Sequence, residues 1–422
     1  MGYILNKLRV FLGTEDTASC LSGLALGFRR RGHTVTTMVE ARSRFLPNQR
    51  YDIVRGRELQ SRFDYTRSSR LVSAIGRRVD ARLIGPMVNA ASSPQYLEHD
   101  LFVFFARPWL PERMLFPLLK RLGKRILFYF LGSDVRHMSA FSAEYGVDIS
   151  GLRPELSRDP LDSKMRRLRH VELWADHVYS VPDQAGLQIR PYYHSHLPLD
   201  VLHQLKPGFP GRAVPVVVHA PSREDVKGTS MVVRAVDDLR RAGVQLELRL
   251  LSGVPRSEVL AALEDADILV DELLLHGPGV LSAEAMVSGC AVATRTLEEH
   301  RDVFGPPVCS VRPDNLVAKL RRLIEDVPYR MALAHAGRAW ALDEHDPARV
   351  VEHIEQHLAG GVPYDYTPNF FLERYELPAD ARLRRETRRL GWEVLRRHRP
   401  DAAHLAADAR RRGLIEPPLG EP

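Results

Sequence analysis

The stretch DILVDELLLHGPGVLSAEAMVSGCAVATR, residues 267–295, contains a complete strand–turn–helix–strand pattern. An apolar run ends in two acids, a turn with Gly277 and Gly279 follows, and a helical segment leads into a second apolar strand. Near-continuous apolar strands that alternate with helices are typical of a parallel sheet covered on both faces. The stretch therefore predicts an α/β domain.

The same alternation extends in both directions from this stretch. It covers residues 214–360, and it recurs before the Pro/Gly-rich segment LKPGFPGRAVP (205–215), which is typical of a linker. We predict three parts: a Rossmann-like domain over 1–205, a second Rossmann-like domain over 206–360, and a basic helical extension over 361–422 that partly packs back on the first domain. Residues 67–88 predict a further basic helix.

Composition excludes several classes of protein. The 60 Lys and Arg residues exceed the 53 acids only slightly, giving a net charge of +7 in 422 residues, which is too mild for a nucleic-acid-binding protein. Three cysteines show no metal or disulfide spacing, no signal peptide is evident, and no apolar run reaches the ~18 residues of a membrane span. We expect a cytoplasmic protein, with a peripheral membrane contact through the basic segments left open.

Three loops are expected at the carboxyl ends of the strands in the second domain, where open parallel sheets bind ligands. The first is HAPSREDVKGTS (219–230). Lys227, Gly228 and Thr229 are predicted to open a helix there, and its free N–H groups, with Lys227 and Arg223, favour a diphosphate. The alternative is an ordinary loop with a surface lysine and a threonine cap.

The second and third loops lie within the opening stretch. Asp271 and Glu272 follow an apolar strand and could serve acid/base chemistry or be ordinary loop acids. Gly277 and Gly279 allow the backbone to approach a ligand closely. Glu284, one turn into the next helix, could bind ribose hydroxyls or could only complement the helix dipole.

The three loops in this order resemble the C-terminal domain of family-4-type glycosyltransferases. The family carries a KG-containing loop, an aspartate-led strand and a Gly-rich turn before "lEAMAsGxPV", matched here over residues 214–296. The segments FLGTEDTASCLSGLALGFRRRGHTVTTM and KRILFYFLGSDVRH are similar to N-terminal segments of the family. The resemblance implies the GT-B fold, an α/β fold of two Rossmann-like domains facing a cleft, with the acceptor domain first and the donor domain second.

The resemblance also implies an activity and a set of site residues. The family moves a hexosyl group from a nucleotide sugar, UDP- or GDP-linked, with retention of configuration, and needs neither a metal nor a cofactor. Arg223, Lys227 and Gly228 would bind the donor diphosphate, Glu284 the ribose, and the backbone at Gly277 and Gly279 the sugar or phosphates. The residues implied to face the acceptor or the cleft are Gly13, Thr14, Glu15, Asp134, Arg136 and His137.

Two positions depart from the family pattern. Many members have a glutamate eight residues before the ribose-binding one, and His276 stands there in this chain. The candidate catalytic residues are therefore His276, Asp271 and Glu272. The arginine that usually lies five residues before the lysine is replaced by Ser222, and Arg223 lies four residues before Lys227.

We predict a glycosyltransferase of glycan biosynthesis that acts on a glycan, lipid or small-molecule acceptor. One alternative is a non-catalytic GT-B-fold protein that binds nucleotide sugars or a partner, because His276 replaces an acid. A second alternative is a sugar-nucleotide epimerase. The sequence predicts no oligomeric state.

Overall fold

A computed structural model describes residues 7–43, 46, 49–54, 93–147, 161–300, 304–366 and 383–418. Their strands form two parallel sheets, one of seven and one of five strands, which confirms the predicted α/β class. The chain divides into two compact units. Unit 1 comprises residues 1–140, 159–195 and 353–422, and unit 2 comprises residues 141–158 and 196–352.

The sheet of unit 1 has the strand order β3-β2-β1-β4-β5-β6-β7, which extends the order of a Rossmann fold. Most of its strand residues are fully buried, as expected when helices cover both faces. The strands are β1 (Arg9–Thr14), β2 (Thr34–Val39), β3 (Ile53–Val54), β4 (Leu101–Phe105), β5 (Arg125–Tyr129), β6 (His177–Ser180) and β7 (Tyr193–His194).

The described helices of unit 1 include segments from both ends of the chain. Val394, Leu395 and Leu405 of the C-terminal tail lie in the same buried core as the sheet. The arginine-rich tail is therefore part of the folded unit. The helices are α1 (Cys20–Arg30), α2 (Glu112–Arg121), α3 (Met138–Tyr145, shared with unit 2), α4 (Leu161–Trp174), α11 (Pro347–Leu358, shared with unit 2), α12 (Arg385–His398) and α13 (Ala403–Arg411).

The sheet of unit 2 has the order β12-β11-β10-β8-β9, the second common doubly wound order. Its strands are β8 (Val216–His219), β9 (Glu247–Leu250), β10 (Ile268–Val270), β11 (Ala291–Thr294) and β12 (Cys309–Ser310). Its helices are α5 (Glu224–Lys227), α6 (Thr229–Arg241), α7 (Arg256–Glu264), α8 (Val280–Val287), α9 (Leu316–Glu325) and α10 (Val327–Glu344). The strand order reverses between β8 and β10, so a crevice is expected beyond their carboxyl ends.

One local expectation needs correction. The sequence predicts that Lys227, Gly228 and Thr229 open one helix, but Lys227 ends the one-turn helix α5 and Gly228 separates it from α6. Gly228 has φ +74°, a left-handed conformation that favours glycine. Lys227 therefore does not lie at the N-terminus of α6.

Two further expectations concern the basic helix and membrane spans. The basic helix predicted at 67–88 lies outside the described residues. Within the described part of the chain, no helix combines the length and apolar character needed to cross a membrane.

Candidate functional site

Strands β8 and β10 are joined at their carboxyl ends by the buried side chain of His219. Its Nδ1–H donates to the carbonyl oxygen of Val270 at 2.8 Å, so Nε2 of the neutral ring accepts from the hydroxyl of Thr229 at 2.9 Å. Burial lowers the pKa of His219, which favours this neutral form. The histidine thus fixes the first residue of α6 against the point where the strand order reverses.

Lys227 lies beside this point, in an ion-pair cluster. Its Nζ donates to Oδ1 of Asp271 and lies 3.4 Å from Oε1 of Glu272. Asp271 also accepts a hydrogen bond from the Ser282 hydroxyl at 2.6 Å. Burial alone would lower the pKa of Lys227, but the charges of Asp271 and Glu272 raise it well above its usual value. Lys227 is therefore a fixed, permanently charged cation at the sheet edge.

The predicted helper cation, Arg223, lies elsewhere on the same loop. It stands immediately before α5, is partly exposed, and donates to Asp225 at 3.1 Å. Its backbone carbonyl oxygen accepts from the N–H of Lys227 at 3.1 Å, but among the described residues its side chain makes no hydrogen bond with the Lys227 side chain or its two acids. The structure thus places Lys227, and not Arg223, in the cluster with Asp271 and Glu272.

The glycine-rich turn packs closely against the neighbouring strand. The N–H of Gly277 donates to the carbonyl oxygen of Arg295 at 2.7 Å, and a Cβ at position 277 would lie 2.4 Å from Oγ1 of Thr294. Any larger residue at position 277 would displace the turn. Gly279 immediately precedes α8, and no atom beyond its chain neighbours lies within 4 Å of where its Cβ would be. The free N–H groups at the start of α8 therefore follow a residue with open space beside it.

Glu284 lies inside α8 and forms a second ion-pair cluster. Arg256 donates from Nε to Oε1 of Glu284 at 2.8 Å and from Nη2 to the same oxygen, and its Nη2 lies 3.0 Å from Asp200. Burial raises the pKa of Glu284, and the positive charge of Arg256 opposes that rise. Both hydrogen bonds from Arg256 end on one carboxylate oxygen.

His276, the residue at the position of the expected acid, packs between two aromatic rings of unit 2. Its ring centroid lies 4.7 Å from that of Tyr145, edge to face, and 5.4 Å from that of Phe141. Arg295 adds a hydrogen bond from its Nη2 to the carbonyl oxygen of Tyr145 at 3.3 Å. The end of α3 is thus held against the glycine-rich turn.

In unit 1, the implied residues Gly13 and Thr14 end β1 and Glu15 follows it. The hydroxyl of Thr14 donates to the carbonyl oxygen of Arg107, Gly13 is buried, and Glu15 is exposed. The next residue, Asp16, accepts from the N–H of Leu21 at 3.0 Å and from the hydroxyl of Tyr51 at 3.0 Å. Asp16 therefore holds the loop that presents Glu15.

The other three implied residues lie after β5, in a turn that hydrogen bonds and an ion pair hold in place. Asp134 accepts from the N–H of Gly132 at 2.9 Å, Arg136 binds Asp183 at 2.7 Å, and His137 is buried. Burial raises the pKa of Asp134, against the backbone N–H groups that lower it. These contacts fix the turn at the carboxyl end of its strand.

The sequence interpretation missed Arg256, Asp200, Ser282 and Tyr145. One signal was available, because Arg256 begins a predicted helix and a cation is disfavoured at a helix N-terminus unless acids compensate it. Asp200 and Glu284 are those acids. Asp200 and Tyr145 lie in segments without a recognisable motif, and Ser282 lies in the opening stretch, where the sequence does not indicate its hydrogen bond to Asp271.

No protein-family model and no curated protein sequence matches this chain. Solved structures do match it. Anabaena HepE in complex with UDP-glucose aligns at TM-score 0.52 and 14% identity, over 84% of this chain and 99% of that one. The sucrose-phosphate synthase of Thermosynechococcus elongatus aligns at TM-score 0.56 and 12% identity, over 84% and 98%. The catalytic domain of Arabidopsis thaliana starch synthase IV, bound to ADP and acarbose, aligns at TM-score 0.52 and 12% identity, over 84% and 99%. With two doubly wound parallel sheets and these neighbours, the chain has the GT-B fold.

Proposed function

We propose that this chain is a family-4-type glycosyltransferase that moves a hexosyl group from a nucleoside diphosphate sugar to an acceptor hydroxyl. The reaction would break the bond between the sugar C1 and the diphosphate oxygen, form a bond from C1 to the acceptor oxygen, and transfer the acceptor proton to the diphosphate. We further propose retention of configuration, no requirement for a metal, and a glycan, lipid or small molecule as the acceptor.

The observation that carries the proposal is the position and charge of Lys227. It lies at the carboxyl end of the sheet, where the strand order reverses and doubly wound folds bind ligands. Negative charge accumulates on the diphosphate as the sugar leaves, so a fixed cation there stabilises the transition state more than the ground state. HepE and starch synthase IV, which share the fold, were solved with UDP-glucose and with ADP.

The contacts of Lys227 leave one of its N–H donors for a phosphate. An ammonium group has three N–H donors, and Asp271 and Glu272 account for two of them. The third donor is available to a phosphate oxygen. The two carboxylates orient the ammonium group and are unsuited to contact the diphosphate themselves, because like charges repel.

Glu284 supports the ribose end of the same proposal. Because Arg256 uses only Oε1, the second carboxylate oxygen takes no hydrogen bond from the described residues. A ribose hydroxyl could donate to that oxygen. The N–H groups at the start of α8, four residues earlier in the chain, favour a phosphate oxygen.

The test is the release of nucleoside diphosphate from a panel of UDP-, GDP- and ADP-sugars in the presence of candidate acceptors. We expect turnover with one donor class, and a loss of roughly 100-fold or more in Lys227→Ala, the size found when one preorganised electrostatic donor is removed. Lys319→Ala, which removes an exposed lysine from α9, is the matched control and should retain full activity. Normal turnover in Lys227→Ala would refute the proposed diphosphate contact.

A second candidate function is nucleotide-sugar binding without transfer. It is favoured by His276, whose ring is packed against Tyr145 and Phe141 at the position where an acid is expected. This candidate predicts measurable nucleoside diphosphate binding and no product with any donor and acceptor. Product formation by the wild type would exclude this second candidate, whereas product formed only by His276→Glu would support it.

A further inference from the structure

Helix α2 of unit 1 exposes a row of large apolar side chains. Met114 is 52%, Leu118 38% and Leu122 46% exposed, and they account for three of the eight exposed large hydrophobic side chains of the described residues. Their spacing of four residues places them on successive turns of one face, with Leu122 as the residue that ends the helix. The opposite face of α2 is buried in the core through residues such as Phe116 and Leu119.

Cations flank this apolar row. Arg113 and Arg121 are exposed next to Met114 and Leu122, and Lys124 and Arg125 follow. No acid of the described residues lies within ion-pair distance of Arg113 or Arg121, whereas Lys120, on the inner side, binds Asp176 at 2.5 Å. The outer face of α2 therefore combines apolar and positive groups.

The acid closest in sequence, Glu112, does not offset this charge on the outer face. It lies at the first position of α2 and is largely withdrawn from solvent. Burial raises its pKa, which favours the neutral acid. The segment from residue 113 to residue 125 contains five cations and no acid.

The arginine-rich C-terminal tail is the other basic surface of unit 1, and five of its arginines form ion pairs with three acids. Residues 383–418 of the tail expose no large apolar side chain, so they lack the apolar row that α2 presents beside its cations. The pairs are Arg385 and Arg388 with Glu416, Arg411 and Arg412 with Asp408, and Arg399 with Asp365.

We propose that α2 docks the protein on an anionic lipid surface, with Met114, Leu118 and Leu122 inserted at the boundary of headgroups and acyl chains. Arg113 and Arg121 would pair with lipid phosphates while their aliphatic stems extend the apolar contact. A row one helix wide, without Trp or Tyr, is too small and too poor in anchor residues for a stable protein interface of about 800 Å² per partner. This inference rests on the proposed transferase function for its biological role, but lipid binding can be measured without sugar transfer.

The experiment is co-sedimentation of the full chain with vesicles of phosphatidylcholine alone or mixed with phosphatidylglycerol. We expect binding to the anionic vesicles that weakens with added salt, and little binding to phosphatidylcholine. Met114→Ser/Leu118→Ser/Leu122→Ser should abolish binding. Leu250→Ser/Val317→Ser, which removes two exposed apolar side chains of unit 2, is the matched control and should bind as the wild type does.

A charge variant provides an independent test of the same surface. Arg113→Gln/Arg121→Gln should lower vesicle affinity about 5-fold for each charge removed, because one basic residue near an anionic surface contributes about 1 kcal/mol. Arg410→Gln, in the tail, should have a smaller effect. All these positions are exposed, so each variant should keep its melting temperature and its nucleoside diphosphate binding.

Three outcomes would overturn the proposal: no binding of the wild type to anionic vesicles, unchanged binding of the triple serine variant, or loss of a solution oligomer in that variant. The last outcome would assign the face to a second copy of the chain. Failure of the sugar-transfer proposal would appear instead as absent nucleotide binding with vesicle binding intact.

Discussion

Substitution of Lys227 by methionine should destabilise unit 2, because it leaves a carboxylate buried without its cation. The side chain of Asp271 is 1% exposed, and its remaining hydrogen bond comes from the hydroxyl of Ser282 at 2.6 Å. Removing one partner of a buried ion pair costs about 3–5 kcal/mol. For a unit of this size, that corresponds to a fall in melting temperature of roughly 10 °C.

A double variant separates this structural effect from ligand binding. Lys227→Met/Asp271→Asn removes both charges, so most of the lost stability should return, whereas nucleoside diphosphate binding should stay lost. The assay is calorimetric unfolding of the wild type, both single variants and the double variant, with Lys319→Met as the control for a surface lysine. The effects of the two substitutions on the free energy of unfolding should be non-additive by about 0.5–3 kcal/mol, because the two side chains are in direct contact.

The pH dependence of this effect follows from the direction of the pKa shift. The pKa of Lys227 is raised in the folded state, so its contribution is complete below the unfolded value of about 10.4 and is lost only as the pH rises through the folded value. The destabilisation by Lys227→Met should thus be the same at about pH 6 and pH 9. Unchanged stability in Lys227→Met, or additive effects of the two substitutions, would refute the reasoning.

Three further predictions follow from other contacts. Glu284→Gln should weaken nucleoside diphosphate binding roughly 10-fold to 100-fold, because it removes a hydrogen bond to a charged group. If wild type and variant bind the 2′,3′-dideoxy nucleotide with equal affinity, the lost hydrogen bond is the one to the ribose. His345 is buried, and burial lowers its pKa to about 4. The contribution of the neutral ring to the free energy of unfolding should therefore be complete above about pH 6.5 and fall by up to about 3 kcal/mol as the pH drops to about 4. Acid titrations of unfolding should show a smaller fall of this free energy in His345→Gln, and an identical fall would contradict the prediction. Glu172→Ala should destabilise unit 1 by about 3–5 kcal/mol, because it leaves the buried guanidinium of Arg169 without its carboxylate, and thermal unfolding with unchanged nucleotide affinity is the expected result.

The sequence predicts the parallel sheets because their signals are local. The strand at 268–270 and the helix at 280–287 follow directly from apolar runs and glycine positions in the opening stretch. The same periodicity locates Lys227 and Asp271 at the carboxyl ends of neighbouring strands. Their direct ion pair across 44 residues could not be deduced, because spacing along the chain does not fix side-chain direction.

The second ion-pair cluster shows where sequence reasoning ends. Glu284 could be assigned to a helix, but its partners Arg256 and Asp200 come from a preceding helix and from a segment before the linker. Likewise, the packing of His276 against Tyr145 depends on a segment assigned from the sequence to the other domain. Long-range contacts of this kind arise from tertiary packing and carry no periodic signal.

The most direct test of the central claim is hydrogen–deuterium exchange of the wild-type chain with and without a bound nucleoside diphosphate. We expect slower exchange in three segments of unit 2: the loop and helix start at 220–230, the acids and turn at 271–279, and the first turn of α8 at 280–284. Lys227→Met/Asp271→Asn should show no such protection at the same nucleotide concentration. Nucleotide binding that leaves these segments unprotected, or protects only other parts of the chain, would contradict the account.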